Sequence, residues 1–129
     1  MNIAGFLQNK DGVENGYLAR CLHSMSLVVD QICVYDDCST EDVTPLYVEY
    51  GCTVIYGRRP AFHRELYNKA ALLQPTLRYR PEWIVWFDSD AVLGPFFEDR
   101  KNVEEALESA AESNFVRLFL HNLNLWRSP

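Results

Sequence analysis

The sequence predicts an α/β fold in which a mainly parallel sheet is flanked by helices. Short runs rich in β-branched and aromatic residues alternate with segments of helical periodicity, and this alternation is typical of βαβ units. In addition, acidic residues directly follow two of the runs, in VYDD and WFDSD. At 129 residues the chain has the length of one domain with a core of its own, so we expect a single domain over residues 1–129.

The first half of the chain predicts three strands and two helices. IAGFL, QICVY and CTVIY predict strands at residues 3–7, 31–35 and 52–56. Apolar residues at three- and four-residue spacing form one face of the first helix: Leu18, Cys21, Leu22, Met25 and Val29. Ser39, Thr40 and Thr44 with Pro45 are helix-start signals and predict a short second helix to about Tyr50, which Gly51 ends.

The second half predicts two helices and two strands. A helix at 62–74 carries three apolar residues on one face: Leu66, Ala70 and Leu73. WIVWF predicts a strand at 83–87, and because it is apolar throughout, we expect it to be buried on both faces. Asn102 and Glu105 predict a capping box for a last helix. The apolar stripe of that helix is Val103, Ala106, Leu107, Ala110 and Ala111. FVRLFLHNL predicts a final strand at 115–123.

Charge and hydropathy exclude several classes of partner. The formal net charge is −6, so no general positive field attracts nucleic acid or anionic lipid. No apolar run approaches the roughly 20 residues of a membrane span. The N-terminus lacks the basic and apolar regions of a signal peptide. We therefore expect a cytoplasmic protein with no transmembrane segment and no nucleic-acid partner.

The four cysteines are Cys21, Cys33, Cys38 and Cys52, and none belongs to a C-x-x-C pair. Their spacings match no common zinc finger. The even count leaves a disulfide open, but we expect buried, unreactive thiols in a reducing compartment.

Acidic residues end two of the predicted strands. Asp36 and Asp37 end the second strand, and Asp88 and Asp90 end the fourth. Ligands of open α/β sheets bind outside the carboxyl ends of the strands. Residues two apart in extended backbone point the same way, so Asp88 and Asp90 can face one ligand together, whereas only one of Asp36 and Asp37 can do so. Two carboxylates at a strand tip suit Mg²⁺ or Mn²⁺, either of which can also take phosphate oxygens.

The D-x-D segment by itself leaves two other interpretations open. Aspartates often cap turns, so Asp88 and Asp90 could have a structural role only. WFDSDAV also resembles the motif of haloacid-dehalogenase-type phosphatases, with Asp88 as nucleophile and Asp90 as general acid and base. That motif normally lies on the first strand of the core, whereas three strand–helix units precede it here.

Three segments together resemble one known enzyme family. ICVYDDCSTEDVT has a hydrophobic strand followed by Asp-Asp-x-Ser-Thr, and WIVWFDSDAVL has D-x-D after an apolar strand. Between them, FHRELYNKAALL places Asn68 where the family has the asparagine of an Arg-Asn pair. In this order the segments resemble family-2 glycosyltransferases with the Rossmann-like GT-A fold. The resemblance implies the N-terminal, nucleotide-sugar-binding portion of such an enzyme, truncated on its C-terminal acceptor side, with Asn68 in the nucleotide site.

The resemblance also implies roles for the residues at the strand ends. The segment around Gln8 would line the base pocket, and Asp37, or alternatively Asp36, would hydrogen-bond the nucleobase. Asp88 would contact the ribose or the metal, and Asp90 would bind the Mn²⁺ or Mg²⁺ ion that bridges the donor diphosphate. The metal would neutralise the charge that develops on the leaving diphosphate.

Basic residues after the third strand are further candidates. Arg58, Arg59 and Arg64 could approach the diphosphate, and Arg64 could replace the family's arginine, whose position Tyr67 occupies here. In inverting members of the family the catalytic base lies well after D-x-D, and no residue before Pro129 matches that position. The catalytic base therefore stays unassigned.

The predicted function is that of a glycosyltransferase domain, similar to hexosyltransferases. It would bind a nucleotide-diphosphate sugar, a UDP-sugar in the first place, through a metal held by D-x-D. It would transfer the sugar, with inversion, to an unknown saccharide, lipid or protein acceptor. A non-catalytic fragment that only binds the nucleotide sugar is the alternative. The sequence does not indicate the oligomeric state.

Overall fold

Four parallel strands form the central sheet. A computed structural model describes residues 1–61, 63–113 and 122–124 of the chain. The strands lie in the order β3-β2-β1-β4, and every neighbouring pair is parallel: β1 (Ile3–Asn9), β2 (Gln31–Asp36), β3 (Thr53–Tyr56) and β4 (Trp83–Asp88). The chain moves outward from β1 to β3 and then returns to the other side of β1. The predicted parallel sheet is confirmed, and its topological switch point lies between β1 and β4.

Helices flank this sheet, as the periodicity predicts. The described helices are α1 (Tyr17–Ser26), α2 (Thr44–Glu49), α3 (Glu65–Leu77) and α4 (Arg100–Glu112), with a 3₁₀ turn at Pro95–Glu98. A second, antiparallel pair is formed by β5 (Ala91–Leu93) and β6 (Asn122–Asn124). Gly51 ends α2 with φ 60°, the left-handed conformation expected of it. Within the part of the chain that the structure describes, no helix has both the length and the apolar character that a membrane span requires.

The two faces of the sheet are covered unequally. On one face, Leu7 of β1 and Val34 of β2 belong to a large core that also contains Leu22 and Met25 of α1. At Gly5 this packing is so close that a Cβ atom would lie 2.5 Å from the Met25 Cε atom. On the other face, α3 lies against β1 and β2 over a smaller buried cluster. The larger core therefore holds the sheet together, and the α3 face is the one with room for polar side chains.

The orientation of α3 differs from the prediction. The helix begins at Glu65 rather than 62 and continues through Pro75 to Leu77, beyond the predicted end at 74. Its predicted apolar face is exposed: Leu66, Ala70 and Leu73. The residues turned inward are Asn68, Lys69, Leu72 and Thr76. Both faces contain residues at helical spacing, so periodicity alone could not select the buried one.

The prediction that the fourth strand is buried on both faces is wrong. β4 is one of the two edge strands of the described four-stranded sheet, next to β1 only. Phe87 is buried in the large core, whereas Trp86, on the other face, is 41% exposed. An apolar run does not reveal whether a strand has one neighbour or two, so the sequence did not show that β4 lies at an edge.

The last predicted elements also need correction. The N-cap of α4 is Asp99, whose side chain accepts a hydrogen bond from the Lys101 N–H at 2.9 Å. Asn102 therefore lies within the helix, and its amide donates to the Phe96 carbonyl oxygen at 2.7 Å. Of the predicted stripe, Val103, Leu107 and Ala110 are buried, Ala106 is half-buried and Ala111 is exposed. The short β5 was not predicted, and most of the predicted strand 115–123 lies outside the described residues.

Strands β1 and β2 both extend further than predicted, to Asn9 and Asp36, which are paired in the sheet. The Asp36 carboxylate is buried and accepts hydrogen bonds from the Tyr47 hydroxyl (2.6 Å), the Ser39 N–H (2.9 Å) and the Ser39 hydroxyl (2.9 Å). The Asn9 amide also donates to the Tyr47 oxygen at 3.0 Å. Asp36 therefore fixes the turn after β2, and its oxygens are already used within the protein.

The orientation of α3 predicts a contrast between two leucines of the same helix. Leu72→Ala removes a fully buried side chain, so we expect the free energy of unfolding to fall by about 2–5 kcal/mol. Leu66 is 79% exposed, so Leu66→Ala should change it by less than about 0.5 kcal/mol. Urea unfolding of both variants measures the difference. Equal losses would contradict the described orientation.

The Tyr47 hydroxyl predicts a second effect on stability. In Tyr47→Phe, Asp36 and Asn9 each lose a buried hydrogen-bond partner, so we expect a loss of roughly 1–3 kcal/mol. Tyr56→Phe, at an exposed tyrosine on the sheet edge, is the control and should be neutral. Chemical denaturation near pH 7 makes this comparison. An equal effect of the two substitutions would contradict the role given to Tyr47.

The same tyrosine should make stability depend on alkaline pH. Burial and the hydrogen bond to Asp36 raise the pKa of Tyr47, so its phenol stays protonated where that of the unfolded chain ionises, near pH 10. The contribution of this pKa shift to the free energy of unfolding is complete below that pH. Above it, the contribution is lost by about 1.4 kcal/mol per pH unit. Denaturation between pH 9 and 11 should show that the free energy of unfolding declines less with pH in Tyr47→Phe than in the wild type. Burial also raises the pKa of Tyr35 and Tyr50, so part of the decline should remain.

Candidate functional site

A pocket of about 360 Å³ lies at the carboxyl ends of β1 and β4. This is the switch point of the sheet, the place where open α/β folds bind ligands. Gln8 of β1 and Asp88 of β4 are paired in the sheet, so their positions at this edge follow from the strand register. The pocket is lined by Gln8, Tyr17, Glu65, Lys69, Phe87, Asp88, Ser89 and Asp90.

Two side chains of α1 hold the D-x-D segment in place. Asp88 ends β4, and a turn at Ser89 and Asp90 leads into β5. The Cys21 thiol donates to the Asp88 carbonyl oxygen (3.4 Å). The Ser24 hydroxyl accepts a hydrogen bond from the Leu93 N–H, at the end of β5 (2.9 Å). Burial, followed by the charges of Asp90 and Asp88, raises the pKa of Cys21 to about 12, so at neutral pH the thiol keeps the proton that it donates. Both anchors lie on the buried face of α1; the sequence predicted Cys21 on this face, but it indicated neither Ser24 nor a contact with D-x-D.

The four cysteines are free thiols. Cys21 and Cys33 are buried, and Cys38 and Cys52 are half-buried. This agrees with the expectation of unreactive thiols, since burial raises the pKa of Cys52 to about 12 as well.

Asp88 and Asp90 could supply some of the ligands of a divalent metal ion. Among the described residues, no group of three or more His, Cys, Asp or Glu side chains could hold a metal ion. Asp88 and Asp90 do line one pocket, and the Asp88 side chain is largely exposed to it. Mg²⁺ and Mn²⁺ accept oxygen ligands of this kind, and Mg²⁺ is usually bound by one or two carboxylates together with substrate phosphates. Two carboxylates beside open space are therefore a suitable protein contribution.

Lys69 is a pocket residue that the sequence did not indicate. It follows Asn68 on the inward face of α3 and is only 5% exposed. Its ammonium contacts the Glu65 carboxylate, lies 3.1 Å from the centroid of the Trp86 ring, and lies 3.8 Å from the Asp88 Oδ1 atom. The spacing of Glu65 and Lys69, four residues apart on a helix, was the available signal, but such pairs are common on exposed helix faces.

A chain of hydrogen bonds connects the pocket with Asp37. The Asn68 amide donates to the Gln8 side-chain oxygen (2.7 Å) and to the Ala61 carbonyl oxygen (3.0 Å), and the Ala61 N–H donates to Asp37 Oδ1 (2.8 Å). Asp37 is fully buried, and its Oδ2 atom has no hydrogen-bond partner among the described residues; the same holds for Asn68 Oδ1. Because a buried acceptor without a donor costs stability, these two atoms indicate where a ligand can donate.

The three arginines lie apart from this pocket. Arg58 and Arg59 follow β3, which is separated from the switch point by β2 and β1. Both are exposed, and neither lines the pocket. Arg64 is also exposed and stacks on Tyr67, with 4.8 Å between the guanidinium carbon and the ring centroid. Contact of these residues with a diphosphate stays a prediction.

Comparisons with known proteins give matches in structure only. No family model matches the sequence, and neither does any curated protein. S. aureus TarS matches with a TM-score of 0.58 and 16% identity, over 88% of this chain and 20% of that one. TarS 1–349 matches with a TM-score of 0.55 and 16% identity, and its complex with UDP matches with a TM-score of 0.54 and 17% identity. Each of these two matches covers 88% of this chain and 33% of that one. This chain therefore spans a third or less of the length of these structures.

The structural matches bear on the alternatives that the D-x-D motif left open. Its strand is the fourth in chain order, and three strand–helix units precede it. This is unlike the phosphatase arrangement, in which the motif lies on the first strand. TarS is a family-2 glycosyltransferase, and the predicted GT-A architecture is matched over most of the chain. The chain therefore shares the GT-A fold with TarS, which is the fold class that the sequence predicts.

Proposed function

We propose that this chain is the donor-binding portion of a glycosyltransferase that uses a nucleotide-diphosphate sugar. The observation that carries the proposal is the pocket at the β1–β4 switch point, which is lined by both D-x-D carboxylates within a GT-A fold. TarS 1–349, which has this fold, is known in complex with UDP. A UDP-sugar is therefore the first donor to test.

The D-x-D carboxylates would hold the metal ion. Asp90, with Asp88 beside it, would bind Mn²⁺ or Mg²⁺, which when bound would offset the negative charge of the leaving diphosphate. Asp88 is exposed enough to contact either the metal or the ribose. The hydrogen bond from Cys21 to the backbone of Asp88 would keep both carboxylates in place when a ligand enters.

The nucleobase would be recognised by the buried acceptors beside the pocket. Within the described part of the chain, no group donates a hydrogen bond to Asp37 Oδ2, and uracil has one ring N–H that can donate to a carboxylate. Asp36 is less suited to this task because its oxygens already accept hydrogen bonds from Tyr47 and Ser39. Asn68 and Gln8 would position the base through the hydrogen bond between them.

The transfer step needs an acceptor and a base that the described residues do not supply. We assign no catalytic base, and we propose inversion and a saccharide, lipid or protein acceptor on the grounds of the sequence resemblance alone. Because the chain spans only a third of TarS 1–349, donor binding is the part of the function that can be tested directly on this chain.

Calorimetric titration with UDP tests the proposal. We expect the wild-type chain to bind UDP more tightly with Mn²⁺ than with EDTA. Asp90→Asn should abolish this enhancement, because one metal ligand is lost. Asp37→Asn replaces an acceptor oxygen by a donor, so UDP should bind about 10- to 100-fold more weakly while the effect of Mn²⁺ is kept. Its thermal midpoint should not fall, because the bond from Ala61 can remain.

Asp42→Asn is the matched control, since Asp42 is an exposed aspartate of the same loop region and should leave UDP binding unchanged. The proposal is wrong if the wild-type chain binds no UDP in the presence of Mn²⁺, or if Asp37→Asn and Asp90→Asn bind it as the wild type does. UDP binding without release of UDP from any of a panel of UDP-sugars would favour the alternative of a non-catalytic binding fragment.

A further inference from the structure

We propose that Lys69 binds the diphosphate group of the donor, as a fixed positive charge that acts together with the metal ion. This inference rests on the proposed donor-binding function. It assigns to α3 a phosphate contact that the sequence had suggested for the exposed arginines after β3.

The position of Lys69 is set by the sheet below it. Trp86 and Asp88 are two residues apart on β4, so their side chains are on the same face. The Lys69 ammonium lies over this pair, 3.1 Å from the Trp86 ring centroid and 3.8 Å from Asp88 Oδ1. It therefore lies directly beside the first carboxylate of D-x-D, where a metal-bound diphosphate would be.

The ammonium keeps hydrogen-bonding capacity for a ligand. A lysine ammonium has three donors, and among the described residues its hydrogen bond goes to Glu65. The 3.8 Å distance to Asp88 is an ion pair rather than a hydrogen bond. The Trp86 ring attracts the cation without accepting a full hydrogen bond. A phosphate oxygen could thus bind Lys69 without displacing Glu65.

The charges of the pocket explain why such a cation is useful. The pocket has a formal charge of −2, because it is lined by three carboxylates (Glu65, Asp88 and Asp90) and one ammonium group (Lys69). This charge would repel a diphosphate. A divalent ion brings this charge to zero. Lys69 then offers a local positive charge on the side of Asp88 that faces α3, and this charge attracts the phosphate oxygens in a partly water-excluded site.

A purely structural role accounts poorly for this lysine. Burying an ammonium carries a desolvation cost, and its partners offset this cost only in part: the i,i+4 pair with half-exposed Glu65 is weak, Asp88 lies 3.8 Å away and is largely exposed, and the Trp86 ring is uncharged. A methionine could fill the same space beside Trp86 without that cost. The buried charge is therefore best explained by a ligand that needs it.

Calorimetry with three probes tests the inference: UDP with Mn²⁺, uridine, and pyrophosphate with Mn²⁺. In Lys69→Met we expect the affinity for UDP and for pyrophosphate to fall about tenfold or more, as for the loss of a charged hydrogen bond. Uridine, which has no phosphate, should bind Lys69→Met as tightly as it binds the wild type. Lys101→Met, at an exposed lysine of α4, is the control and should change none of the three affinities.

The outcomes separate this inference from the proposed function. If the wild type binds UDP and Lys69→Met binds it within twofold, the inference is wrong and the proposed function stands. If the wild type binds pyrophosphate in a Lys69-dependent manner but binds no UDP, the nucleotide function is wrong and the phosphate contact stands. If neither ligand binds the wild type, both are wrong. Lys69→Gln replaces Lys69→Met in every comparison if the latter fails to fold.

Discussion

The pairing of β1 with a parallel strand on each side is the constraint on which the rest of the structure depends. β1 is bonded to β2 and to β4, and Ile3 and Leu7 have no exposed surface. Because all three strands run the same way, their carboxyl ends meet at one edge of the sheet. The crossover from β3 back to β4 opens a gap at that edge, and the pocket lies in this gap.

The site combines side chains that would destabilise the fold if no ligand used them. Asp37 has a buried oxygen to which no described residue donates, and Lys69 has a buried charge. Asp88 and Asp90 are like charges two residues apart, which favours a cation between them. These features lie on the thinly covered α3 face and at the strand tips, whereas the opposite face is a continuous apolar core. In the proposed function, binding would depend on the α3 face and the strand tips, whereas the opposite face supplies the larger apolar core.

Agreement between sequence and structure varies with the kind of signal. The strands and helices of the first 113 residues were predicted in type and order, apart from β5 and the 3₁₀ turn, because apolar runs and helical spacing reflect burial. The ends of these elements were predicted less accurately, because a hydrophobicity pattern assigns polar residues at strand ends to loops. β1 and β2 continue to Asn9 and Asp36, which pair with each other in the sheet. The capping box was wrong because Asp99 supplies the cap one turn earlier than Asn102.

The sequence by itself determined the fold class and the D-x-D segment of the pocket, since both follow from local patterns along the chain. Only the tertiary structure decided which side chains meet there. It turned Asn68 and Lys69 of α3 inward and left Leu66 exposed, and it put Asp36 into the turn and Asp37 into the hydrogen-bond chain with Asn68. The physical reason is that a periodic pattern shows which residues share a face, whereas burial depends on the neighbour that covers that face.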